Sequence, residues 1–250
     1  MNWSKVYSYC ERGADPAFWA EPLNAISNGA FVIAGLFAAW QLARSPRKDH
    51  ALCEWLLILV VICIGIGSFM FHTYATVWAI PFDVIPIAIF MFAYLGYALR
   101  RFAGAPWIIV IAALVAFYFS HKYAQGIQCS NELLPMTRGA GKRCFNGTLG
   151  YTPAFIALVF VGLWLLAKQH SAAKYILAGA TIFLAAMTFR TIDLEVCRWA
   201  VRGGRGVGTH FLWHTFNGLL LYVLLLGAIR HGAPAAGAAT SIASAPRSGP

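Results

Sequence analysis

The sequence predicts an all-α membrane protein, a bundle of seven transmembrane helices, on three observations. The first is composition: 60% of the 250 residues are hydrophobic and only 11% are charged. A soluble domain carries about a quarter charged residues, so no water-facing surface can be built from this inventory. The second is length, because the apolar runs approach the roughly 20 residues that cross a hydrocarbon core. The third is their uniformity, which lacks the alternation of barrel strands. In hydrocarbon such runs must satisfy their own backbone groups as helices.

In chain order the spans are Leu23–Ala43, Trp55–Thr73, Val77–Leu99, Trp107–Ser120, Pro153–Ala167, Ala173–Thr191 and Thr209–Ile229. The fourth and fifth are short and need flanking residues to cross. Met1–Trp19 is polar and aromatic, without the layout of a cleaved signal peptide, so the first span is expected to act as its own insertion signal. Asn131–Gly150 reads as a loop of some size. Residues 1–231 form one membrane domain, and residues 232–250, rich in Gly, Ala, Ser and Pro, are predicted to be a disordered tail.

The formal charge of +10 does not point to nucleic acid, because the basic residues sit at span ends. Arg44, Arg47 and Lys48, then Arg100 and Arg101, then Lys168 and Lys174 crowd short connections that should stay in the cytoplasm. The N-terminus is then expected on the non-cytoplasmic side and the C-terminus in the cytoplasm. The run RGGRGVG at Arg202–Gly208 reads as a flexible basic loop before a span.

Cysteine usage agrees with that orientation. Cys53 and Cys63 read as inert core thiols of the second span. Cys10, Cys129, Cys144 and Cys197 all fall on the N-terminal side, and thiols gathered there suggest disulfides of an oxidising compartment. Cys129 with Cys144 inside one loop is the natural pair, leaving Cys10 for Cys197; the alternative is four free thiols.

The chemistry lies in polar residues at the ends of apolar spans, where an ionisable group is costly. Ser68 and His72 (SFMFH) share one helix face near the end of span two. His210 and His214 (HFLWH) share a face at the start of span seven, and Asp83 lies one turn into span three. All these ends fall on the side that carries the N-terminus. Three imidazoles with an open position are the pattern of a catalytic zinc site. Asp83 is placed to take or orient a water's proton, and Ser68 to donate to an oxyanion. The plain alternative is that each histidine bonds a neighbouring helix.

These residues, with AEPLNAISN entering span one, GSFMFH ending span two and FRTIDLEVC ending span six, resemble the alkaline ceramidases. That family lies within a superfamily of seven-helix membrane hydrolases and adiponectin-type receptors. The resemblance implies zinc on His72, His210 and His214, with Ser68 and Asp83 at the catalytic water. It implies hydrolysis of the ceramide amide to a sphingoid base and a fatty acid, so the expected partner is a ceramide-like lipid. It also implies a Cys10–Cys197 disulfide. Eukaryotic members bind calcium through an acidic N-terminal segment; Glu11 and Glu21 match that pattern, whereas Ser8 and Gly13 depart from it, and calcium prefers six to eight oxygen ligands. In the alternative, Glu21 orients the start of span one. Asn24, Ser27 and Asn28 are expected to bond neighbouring helices. Two other functions compete with the amidase: a zinc-dependent lipid esterase or phospholipase, and a receptor with a structural zinc.

Overall fold

The computed structural model describes residues 2–46, 51–128 and 144–232. Among them seven helices are long and apolar enough to cross a membrane: Pro22–Ala43, Leu52–Tyr74, Val77–Phe102, Trp107–Gly126, Cys144–Ala167, Ala173–Ile192 and His210–His231. The first span is two helices, α1 (Pro22–Ser27) and α2 (Gly29–Ala43), which meet at Asn28. The regular helices that follow are α3 (Leu52–Tyr74), α4 (Ile80–Tyr97), α5 (Trp107–Gly126), α6 (Thr152–Ala167), α7 (Ala173–Ile192) and α8 (His210–His231). The described strands are β1 (Val201–Arg202) and β2 (Arg205–Gly206), one small hairpin before α8.

At 1.5 Å per residue, the 23 residues of α3 cover about 34 Å, enough for the roughly 30 Å hydrocarbon core. Outward-facing side chains such as Ile33, Leu36 and Phe37 on α2, Ile108 and Ile111 on α5, and Phe160 and Leu163 on α6 are exposed. A continuous apolar surface of that kind belongs against lipid. The centre of the bundle is α8, 61% of whose apolar window is buried, against 17% for α5 on the periphery. Phe31, Ile64, Phe183, Leu220 and Leu224 join α2, α3, α7 and α8 in one core.

Two close approaches set the helix spacing. A Cβ at Gly218 would lie 2.8 Å from the Ala30 Cβ, so α8 and α2 meet backbone to backbone, as small residues allow in membranes. A Cβ at Gly67 would lie 1.9 Å from the Phe82 carbonyl oxygen. Pro86 has no N–H, so that carbonyl lacks its partner four residues on. The Gly67 backbone packs directly against it, where any side chain would collide. This contact holds the start of α4 against the end of α3.

The structure departs from the sequence expectations in two details. The fourth span ends at Gly126 rather than Ser120. His121 donates to the Gly150 carbonyl at 2.9 Å and accepts from Gln125 at 2.8 Å, so the polar end of this helix is satisfied partly by the segment that leads into α6. Cys53 and Cys63 are exposed rather than buried in the core; α3 is apolar on every face, so its composition could not say which face turns inward. Arg47, Lys48, Cys129 and residues 233–250, with the expected tail, lie outside the described residues.

Candidate metal centre

The last turn of α3 and the first two turns of α8 end at the same side of the bundle, bringing His72 to His210 and His214. The ring centroids are 4.7 Å apart for His72 and His214, 5.3 Å for His72 and His210, and 4.6 Å for His210 and His214. One nitrogen from each ring lies within 4.8 Å of the other two. All three side chains are buried.

Their outer partners set which nitrogens remain open. His72 Nδ1–H donates to Glu21 Oε2 at 2.6 Å, and its Nε2 is buried without a partner. The Ser27 hydroxyl donates to the Asn24 carbonyl at 3.0 Å, so it accepts from His214 Nδ1–H at 2.8 Å and leaves His214 Nε2 open. His210 stacks on Tyr9 at 3.8 Å, with Nδ1 buried and unpartnered. Orphaned ring nitrogens are costly in a buried setting. Two such nitrogens, with a third imidazole beside them and two rings fixed from behind by Glu21 and Ser27, make the donor set of a transition metal such as zinc.

The N-terminal segment closes over this set. Arg12, 1% exposed, pairs with Glu21 and donates to the carbonyls of Asp15 at 3.1 Å, Ala17 at 2.9 Å, His72 at 2.9 Å and Thr73 at 3.4 Å. Burial alone would push the Glu21 carboxyl up, but His72, Arg12 and Asn24 together hold it below the usual carboxylate range. Glu11 accepts the Leu23 and Asn24 N–H groups, both at 2.8 Å, at the start of α1; burial raises its carboxyl in spite of them. The pair that matches a calcium pattern is therefore engaged by N–H donors: Glu11 caps a helix and Glu21 orients His72.

Asp193, just past α7, accepts the N–H groups of Cys10 at 3.0 Å, Thr209 at 2.8 Å and His210 at 2.9 Å. It thereby caps α8 at its first histidine, and burial pushes its carboxyl up. Gly208, at φ 60°, permits this turn: a Cβ there would lie 2.1 Å from Asp193 Oδ1. A disulfide joins Cys10 to Cys197, tying the N-terminal segment to the loop after α7. Cys144 is also disulfide-bonded; Cys129, the partner expected for it, is outside the described residues.

Ser68 is buried one turn before His72, and Asp83 is half-buried in the first turn of α4. Among the described residues neither side chain makes a hydrogen bond; the Gly67–Phe82 backbone contact lies one residue before each of them in the chain. Deeper in the bundle lies an apolar cavity lined by Phe31, Phe90, Met91, Tyr151, Trp213 and Leu221 among others.

Sequence reasoning placed the histidines, Ser68 and Asp83 at one end but did not assign Arg12, Tyr9 or Asp193 to the site. It treated Ser27 only as a packing hydroxyl. A carboxylate closing an apolar span, as in FRTIDLEVC, was the available signal for Asp193. The comparison with curated proteins returned no match. The model of the Ceramidase family matches residues 7–236, which include every span, the three histidines, Ser68 and Asp83, and the chain therefore belongs to the ceramidase family.

Proposed function

We propose that the protein is a zinc-dependent amidase that hydrolyses ceramide or a related long-chain lipid amide to a sphingoid base and a fatty acid. The observation that carries this reading is the set of three buried imidazoles gathered within ligand distance of one another, two of them with unpartnered ring nitrogens. An apolar cavity deeper in the bundle, lined in part by Trp213 between the two histidines of α8, gives the acyl chain an apolar surface to lie against. Zinc bound there supplies Lewis acidity toward the amide carbonyl and makes water a nucleophile near neutral pH.

The chain's own residues divide the remaining work. Glu21 and Ser27 hold the N–H side of His72 and His214, so that the opposite nitrogens stay available as ligands. Ser68 donates its hydroxyl to the carbonyl oxygen as negative charge develops there. Asp83 accepts a proton from the attacking water and returns it to the leaving amine nitrogen. Water thus adds to the carbonyl carbon, the C–N bond breaks, and amine and carboxylic acid leave. The cavity walls exclude bulk water from the acyl chain. In the same reading the N-terminus and the metal site face the non-cytoplasmic side, and Cys129 pairs with Cys144.

The test is zinc content and release of labelled fatty acid from a panel of ceramides and phospholipids, measured on the wild type and on His72→Ala and His210→Ala. Zinc and ceramide turnover should be present in the wild type and largely lost in both variants. Full zinc occupancy in both folded variants rules out the site; turnover of phospholipid alone moves the reading to an esterase.

A further inference from the structure

Arg190 lies in the last turn of α7, level with His210 at the start of α8. Its guanidinium sits 5.8 Å from the ring centre of Tyr9, 5.4 Å from Tyr151 and 5.1 Å from Trp213. Its side-chain hydrogen bond is a long one, Nη1 to Tyr9 Oη at 3.5 Å, and Nε is buried without a partner. Among the described residues no carboxylate comes within ion-pair distance, although Asp83 and Asp193 are both near enough to feel its charge. Aromatic faces attract a cation but leave most of its five N–H donors unused. A half-buried cation at the end of an apolar span, without an anion at ion-pair distance, is costly to maintain and by default marks a functional position.

The three rings also locate it. Tyr9 stacks on His210, while Tyr151 and Trp213 line the apolar cavity. Arg190 therefore stands behind both the cavity wall and the metal ligands, in contact with residues of each without lining the cavity itself. A ligand that fits both neighbours has a long apolar body and an anionic end. A carboxylate matches the guanidinium fork.

We propose that Arg190 is an anion-binding residue of this site that holds the carboxylate of a long-chain fatty acid. The identity of that acid as the reaction product rests on the hydrolase reading above. Arg190 thereby makes the cavity selective for an acid over a neutral chain of equal length.

The test measures displacement of a fluorescent fatty acid from the full-length protein in nanodiscs, by palmitate and by hexadecanol. The wild type should prefer palmitate by roughly 10- to 100-fold, the range of a hydrogen bond to a charged group. In Arg190→Gln the preference should vanish with hexadecanol binding unchanged; Arg190→Lys, which keeps the charge, should retain part of it and serves if the Gln variant does not fold. The preference should also survive chelator treatment, since a metal can itself bind carboxylate. An unchanged preference in folded Arg190→Gln, full wild-type preference in Arg190→Lys where the Gln variant is not obtained, or loss of preference on chelation alone overturns the proposal. Ceramide turnover on the same samples separates the two readings: turnover without acid preference removes only Arg190, and acid preference without turnover removes only the hydrolase.

Discussion

At the end of the bundle that carries the N-terminal segment, Arg12, Glu21, Ser68, His72, His210 and His214 are buried together. Toward the opposite end Glu54 is also buried, and the Tyr97 hydroxyl donates to it at 2.7 Å. The Tyr97 oxygen lies 3.3 Å from the Ala228 carbonyl as well, so this pair ties α3, α4 and α8 by ordinary packing. The first cluster differs in kind. Its outer members are satisfied, while ring nitrogens on His72 and His210 stay buried and unpartnered. Native interiors rarely leave such groups without a reason. The contrast separates polar groups that hold helices together from polar groups that await a ligand.

The sharpest way to break that contrast is Asp83→Asn. If Asp83 moves protons, ceramide turnover should fall about 100- to 10,000-fold while zinc content stays normal; normal turnover, or loss of metal, puts Asp83 outside the proposed role. Ser68→Ala should lower turnover about 100- to 1,000-fold, the usual cost of an oxyanion donor, again with metal retained. Near-normal turnover in this variant would make Ser68 a packing hydroxyl.

Smaller effects sharpen the comparison further. Glu21→Gln removes the charge behind His72 and should weaken zinc affinity about 10- to 100-fold, read by competition with a chelator. An unchanged affinity would mean that Arg12 and the disulfide hold His72 without help. At the other end, Tyr97→Phe removes a donor from a buried carboxylate and should lower unfolding stability by about 1.5 to 3 kcal/mol, leaving turnover and zinc content unaltered. Loss of activity there would join the two ends that the structure keeps separate.

Much of this was legible in the residues. His210 and His214 share a face because four residues make about one helical turn, and the same holds for Ser68 and His72. Span count and span parity then bring both pairs to one end. The cysteine faces of α3 were not legible, because a helix apolar all round has no periodicity to read. Glu21 stayed ambiguous for a related reason. A glutamate near the start of a span resembles a cation ligand and a helix-entry residue equally well until its neighbour is known.

By itself the sequence determined the bundle, the number of spans and the side on which the histidines gather. Hydrophobic length and helical periodicity are local properties, expressed wherever the chain meets a membrane. Only the tertiary structure decided what stands behind each histidine and which polar atoms remain open. Glu21 and His72 are 51 residues apart in the chain, and Ser27 and His214 are 187 apart. Those meetings depend on how closely helices pack, at Gly67 against Phe82 and at Gly218 against Ala30, and no local pattern carries that information.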